Sequence, residues 1–293
     1  MANLRDIRLR MRAIGQTLQV TKAMKLISTS KLRKGRILLE DTEPYFNRIQ
    51  QTMSDLLRDS GNVDSEYLKK NRDGRTAVIV VTSDKGLAGG YNANIFRYVM
   101  NMCQSLSNPI LIIIGTVGQR YFLNSPYLVL ENFTFSSRVP TVADAQDLSE
   151  YVVSQFDWGV FAEVRIVYTH MYNAMRLLPA EREVLPLDEE KITAAALPEA
   201  GEPAARQQHF EYEPSAEAVF DTLAPLYIKG VIYGCLVEAY ASEQSARMSA
   251  MDEASKNADE MLASKTLFYN RIRQAGITQE VTEIVSGSAA LTS

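Results

Sequence analysis

One segment of the chain has the composition of a cofactor loop: Asp84-Lys-Gly-Leu-Ala-Gly-Gly-Tyr-Asn-Ala-Asn94, lying between an apolar run and an amphipathic one. Backbone N–H groups at such a strand-to-helix turn can hold a phosphate. Its spacing fits neither G-x-G-x-x-G nor G-x-x-x-x-G-K-[ST], and the apolar run after it ends at Gly115 with no acidic residue for a ribose. The loop therefore reads more readily as a tight turn that packs helix against sheet. Ser83, Asp84 and Lys85 supply a hydroxyl, a carboxylate and an amine, but no base stands beside them to complete a nucleophilic site. The two histidines, His170 and His209, have no His or Cys at metal-ligand spacing, so no metal and no cofactor are expected. Cys103 and Cys235, the chain's 2 cysteines, lie far apart in apolar surroundings and read as reduced core thiols.

Charge is the stronger chemical signal. Residues 1–36 hold ten Lys/Arg against Asp6 alone, while residues 181–217 hold ten Asp/Glu against Arg182, Lys191 and Arg206. The basic group from Lys25 to Arg36 fits a solvated helix face or a face that meets an acidic protein surface. Nucleic acid is the weakest reading, because no aromatics interleave the charges and the net charge is −4. The arginine-rich start resembles a transit peptide in part, but Asp6 and the scarcity of serine mark it as mature helix. No apolar run approaches the 18 or more residues of a membrane span, so no direct membrane insertion is expected.

The elements that carry these residues alternate. Apolar runs at Ala77–Thr82, Ile110–Ile114, Tyr127–Glu131 and Glu163–Thr169 predict strands, with helices over Asn92–Gln104, around Gln119 and over Val142–Phe156. Continuous apolar strands separated by helices predict an α/β fold with a buried parallel sheet. Val184–Leu187 fits an antiparallel edge strand, and residues 188–211 lack periodicity and read as a loop.

Both ends read as long helix, from about Ala2 to Leu57 and from about Pro214 to Ser286. The second would run roughly 105 Å at its ordinary rise. Leu4, Ile7, Met11, Ile14 and Leu18 form a 3-4 seam. The C-terminal seam is light: Ala246, Ala250, Met251, Ala254, Ala258, Met261, Leu262, Phe268 and Ile272. Pairing of the two ends as a coiled coil is expected, with Gly230, Gly234 and Gly276 marking close contacts or local flexibility. The apolar stretch Ile284–Leu291 calls for something that encloses it. Three segments follow: an N-terminal coiled-coil helix over 1–60, an α/β domain over 61–211 and a C-terminal coiled-coil helix over 212–293.

Four stretches carry a family resemblance that runs the length of the chain. Thr21-Lys-Ala-Met-Lys25 with Ser30-Lys-Leu-Arg-Lys34, Ser83-Asp-Lys-Gly-Leu-Ala-Gly-Gly-Tyr-Asn92, Ala241-Ser-Glu-Gln-Ser-Ala-Arg-Met-Ser-Ala-Met251 and Ile277-Thr-Gln-Glu-Val-Thr-Glu-Ile-Val-Ser-Gly287 resemble the gamma subunits of F-type ATP synthases. The resemblance implies an antiparallel coiled coil of both termini with a Rossmann-like α/β domain. It implies a non-catalytic rotor shaft inside the alpha/beta hexamer, footed on the c ring with the epsilon subunit at the cytoplasmic face of a bacterial cell membrane. Carried over residue by residue, Met24, Lys25, Lys31, Arg33, Lys34, Arg36, Arg247, Gln274 and Thr278 face the stator, and Tyr212 and Glu213 face the c ring and epsilon. The inserted cysteine pair of photosynthetic relatives is absent, so thiol regulation is not implied. A nucleotide-binding α/β enzyme with a helical arm and a free-standing coiled-coil adaptor are the alternatives.

Overall fold

The structure, a computed structural model, describes residues 4–61, 63–69, 73–130, 139–173, 176–195 and 212–292, and gives no side-chain account of 195 or 287–292. The end of a strand at Glu131, His209 and most of the expected 188–211 loop lie outside the described residues. The chain forms two compact units, one from Met1–Ser28 with Arg247–Ser293 and one from Thr29–Ala246.

The sheet belongs to the second unit. β1 (Arg75–Val81), β2 (Ile110–Ile114), β3 (Leu128–Leu130), β4 (Phe161–Met171) and β5 (Leu177–Leu185) lie in the order β3-β2-β1-β4-β5. The first four are parallel, and β5 runs antiparallel to β4 on one edge. Their alternate side chains divide between two cores. On one face Ala77, Ile79, Ile112 and Ile166 join α4 (Val142–Asp157) through Leu148, Val152 and Phe156. That core also takes Met53 and Leu56 from α1 (Leu4–Ser60) and Phe220, Ile228 and Ile232 from α6 (Ala216–Thr292). On the other face Val78, Val80, Leu111 and Ile113 meet Ile95, Val99 and Cys103 of α2 (Tyr91–Gln104) and Phe122 of α3 (Thr116–Phe122). The start of α4 is set by a capping box in which Thr141 and Asp144 exchange backbone and side-chain bonds.

Two sequence expectations shift here. The edge strand begins at Leu177, well before Val184; its charged residues Glu181 and Glu183 alternate with Arg182, which lies on the opposite face beside Tyr227 and Cys235. The expected loop after it holds α5 (Glu189–Ala195), started by the Asp188 carboxylate, which accepts from the Glu190 N–H at 3.1 Å. α6 also contains an 18-residue window apolar enough, by length and composition, to cross a membrane. Much of that apolarity is spent on packing, since 56% of the window is buried.

Within the second unit α1 and α6 approach closely. A Cβ on Gly230 would stand 2.2 Å from the Phe46 ring, and one on Gly35 3.1 Å from Tyr240. Gly234 and Gly276 meet nothing within 4 Å, so close packing accounts for Gly230 alone among the three helical glycines singled out.

In the first unit the two helices run antiparallel. Arg8 donates to the Tyr269 hydroxyl at 2.5 Å and Lys25 to Asp252 at 2.5 Å. Arg8 and Lys25 are as far apart on α1 as Tyr269 and Asp252 are on α6, so the register holds without slip between them. Ile7, Met251 and Ala258 are buried in this pair, with Thr21 and Ser255. Met261 and Phe268, counted into the seam by their spacing, are exposed, because two helices alone bury only a narrow stripe.

Candidate functional site

The glycine-rich loop sits at the carboxyl end of β1, where a doubly wound sheet would hold a nucleotide. Several of its polar groups bond within the fold. The Asn92 amide donates to Ser83 Oγ at 2.7 Å and accepts from the Ser83 N–H at 3.1 Å, while Ser83 Oγ donates to the Lys85 carbonyl at 2.8 Å. The Asp84 carboxylate accepts from the Thr116 N–H at 3.1 Å, and Thr116 Oγ1 donates to the Asp84 carbonyl at 2.7 Å. Thr82 Oγ1 donates to the Ile114 carbonyl at 2.7 Å and accepts from the Gly118 N–H at 3.1 Å. Gly115, at φ +96°, leaves no room for a side chain: a Cβ there would stand 2.3 Å from the Thr82 carbonyl oxygen. The loop ties β1 to α2, β2 and α3.

α6 bonds to the carboxyl end of β4 and to the start of α2. The Tyr91 hydroxyl donates to the Ala239 carbonyl at 3.2 Å, and Ser242 Oγ donates to the Thr169 carbonyl at 2.8 Å. Glu238 accepts from the Met171 N–H at 3.2 Å and meets His170 Nδ1. His170 is thus a tether between β4 and α6. Among the described residues no group of three or more His, Cys, Asp or Glu could hold a metal ion.

The residues expected at the stator face do not form a pocket. They lie along two helices and in both units. In the first unit Met24 and Lys25 are half-buried, Arg247 is buried, and Gln274 and Thr278 are exposed. Gln274 lies roughly 33 Å along α6 from Asp252, the residue that Lys25 grips. Thr278 Oγ1 donates to the Gln274 carbonyl at 3.0 Å, so the two share one turn. In the second unit Arg33, Lys34 and Arg36 are exposed and Lys31 is partly so, with no ion pair to any of them among the described residues. Tyr212 lies with its hydroxyl 3.5 Å from Asp59, beside an exposed Glu213. Burial, and then the carboxylates of Asp59 and Asp55, push the Tyr212 phenol upward.

Carboxylates on a helix ordinarily face solvent. Two of them cross between helices: Asp252 takes Lys25 on one oxygen and Lys256 on the other at 3.0 Å, and Asp259 takes Lys22 at 3.2 Å. The two ammonium groups hold the Asp252 carboxyl below the usual carboxylate range. The Asp252–Lys256 spacing was visible as an i,i+4 pair; its cross-helix partner was not.

The comparisons with known proteins agree with one another. A family model described as ATP synthase matches residues 3–291. The ATP synthase gamma chain of Ruminiclostridium cellulolyticum is 44% identical over 99% of this chain and 99% of its own. That of Acetivibrio thermocellus is 40% identical over 99% of this chain and 100% of its own. Among solved structures, a chain of the Euglena gracilis mitochondrial ATP synthase (OSCP, F1 and c-ring) aligns with a TM-score of 0.65 at 16% identity, covering 98% of this chain and 94% of that one. At that identity the likeness bears on the fold, and the fold agrees with long terminal helices joined to an α/β sheet.

Proposed function

The chain belongs to the ATP synthase gamma-chain family, and from that premise we propose that it is the central rotor shaft of an F-type ATP synthase. It couples ion flow through the membrane sector to ATP synthesis or hydrolysis in the alpha/beta hexamer and catalyses neither step itself. The observation that supports the non-catalytic reading is the bonding of α6 at the carboxyl end of the sheet, where a dinucleotide enzyme would bind its cofactor: Ala239 and Glu238 accept there from Tyr91 and the Met171 N–H, and Ser242 donates to Thr169.

On this reading the partners are the alpha and beta subunits, the epsilon subunit and the c ring, at the cytoplasmic face of a bacterial cell membrane. Met24, Lys31, Arg33, Lys34, Arg36, Arg247, Gln274 and Thr278 belong to the surface that passes the stator. The exposed cations of this set support that assignment, since their charge has no ion-pair partner among the described residues. Lys25 contributes through its pairing with Asp252. Tyr212 and Glu213 belong to the foot, and Ile284, 71% exposed, belongs to an apolar tip that a protein sleeve covers.

Two measurements test the proposal together. Isothermal titration of the full chain with ATP, ADP and NAD should give no heat of binding, and the chain should co-purify with alpha and beta subunits from detergent-extracted membranes. Micromolar nucleotide binding would favour the enzyme reading; a free monomer or dimer in cells would favour the adaptor.

A further inference from the structure

Among the described residues no carboxylate pairs with Arg182 of β5. Its neighbours in the strand are matched: Glu181 faces Arg165 at 3.7 Å, and Glu183 takes Lys191 at 2.8 Å. The Arg182 guanidinium lies instead against α6, hydrogen-bonded to the Tyr227 phenol and the Cys235 thiol. A guanidinium carries five N–H donors in a planar fork. Two neutral acceptors leave its charge unmatched.

This fork stands where two cavities meet, both within the second unit. One, of about 180 Å³, runs between α1 and α6 past Leu39, Phe46 and Gly234. The other, of about 530 Å³, lies between α6, the end of β5 and α5, past Leu187 and Ile192. Gln50, Arg182, Tyr227 and Val231 line both. The joined space falls within the roughly 300–1,000 Å³ of small-molecule sites, which likewise set a few polar groups in apolar walls. The polar groups of the shared wall all have donors to give. The Gln50 amide nitrogen has no hydrogen-bond partner, and burial pushes the Tyr227 phenol up, so that it keeps its proton at neutral pH. Of the other carboxylates near by, Asp188 meets Lys191 at 3.5 Å, and Glu43 is exposed. The helical glycines complete the wall. A Cβ at Gly230 would strike Phe46 at 2.2 Å, whereas one at Gly234 would meet nothing within 4 Å. Gly230 serves packing; Gly234 leaves the smaller cavity open.

We propose that the joined cavity binds a small organic anion, a carboxylate or phosphate monoester on an apolar body, with the Arg182 fork on the anion and the body against Phe46, Val231 and the open side of Gly234. A planar fork suits either anion, which it can hold through two parallel bonds. The site lies in the α/β unit and does not depend on the rotor-shaft reading.

Titration calorimetry and ligand-observed saturation-transfer NMR of the full chain with benzoate and with phenyl phosphate test the proposal. At least one of the two should bind, one per chain, and the tighter of them identifies the anion as carboxylate or phosphate. Benzyl alcohol lacks the charge and inorganic phosphate lacks the apolar body, so each should bind about tenfold more weakly or worse. Arg182→Gln should weaken the tighter ligand by about tenfold, the scale of a lost charged hydrogen bond. Gly234→Leu should fill the smaller cavity, improve helix propensity and weaken the same ligand by about tenfold. It decides the matter if Arg182→Gln does not fold. The proposal is overturned if the wild-type chain binds neither anion, or binds benzyl alcohol or inorganic phosphate as tightly. An affinity unchanged in either folded variant overturns it as well. So does a Gly234→Leu chain that cannot fold, because the space beside Gly234 would then be closed.

Discussion

Gly230 and Gly234 stand one helical turn apart in α6 and have opposite surroundings. At Gly230 an added Cβ meets the Phe46 ring at 2.2 Å, so Gly230→Ala must displace an aromatic ring and is expected to destabilise by about 1–3 kcal/mol. At Gly234 nothing lies within 4 Å, and Gly234→Ala should stabilise by up to about 1 kcal/mol through helix propensity. Urea midpoints of the two variants, at unchanged slope, should move in opposite directions. The thiols give a second residue-scale prediction. Burial pushes Cys103 up to about 11 and Cys235 up to about 12. An unfolded thiol ionises near about 8.5, so their contribution to stability is complete below that pH and is lost as pH rises from there toward the folded values. Neither thiol should react with a disulfide reagent in the native chain at pH 8, and both should react in guanidinium. Fast reaction of either in the native state would contradict its burial.

The buried strands were the legible elements. β2 matches its sequence reading because a strand covered on both faces is a continuous apolar run, here closed by Pro109 before it and Gly115 after it. β5 was read too short because an edge strand alternates with charge and Pro179 masks its start. α5 was missed because seven residues give no period to count, although the Asp188 cap was visible. The Lys25–Asp252 pairing joins residues 227 apart, and one sequence alone fixes no register across that distance. The glycine-rich loop was legible as a packing device, and Thr82 tests it. Its hydroxyl serves the Ile114 carbonyl and the Gly118 N–H together. Thr82→Val keeps the shape and strands the Gly118 donor, with an expected loss of about 1–3 kcal/mol by thermal or chemical melting. A neutral outcome would mean that the β1–α3 junction finds another partner for that N–H.

For the whole molecule, the decisive asymmetry is between cations already paired within the chain and cations that are not. Lys22 and Lys25 spend their charge on Asp259 and Asp252, whereas Lys31, Arg33, Lys34 and Arg36 have no such partner among the described residues. A chain of net charge −4 thus presents a locally basic stretch whose field reaches about 8–10 Å at physiological ionic strength. If that stretch meets acidic loops of the catalytic subunits, its contribution should appear mainly in association rate and salt dependence. The combined substitution Arg33→Glu, Lys34→Glu and Arg36→Glu should slow binding of the chain to alpha/beta hexamers by about tenfold or more at low salt. Raising salt should slow the wild-type chain and speed the variant, because screening weakens attraction in one and repulsion in the other. Stopped-flow association at several salt concentrations reads both slopes. Parallel slopes for the two chains would return these three cations to the plain role of a solvated helix face, and would leave coupling to the shape of the helix pair alone.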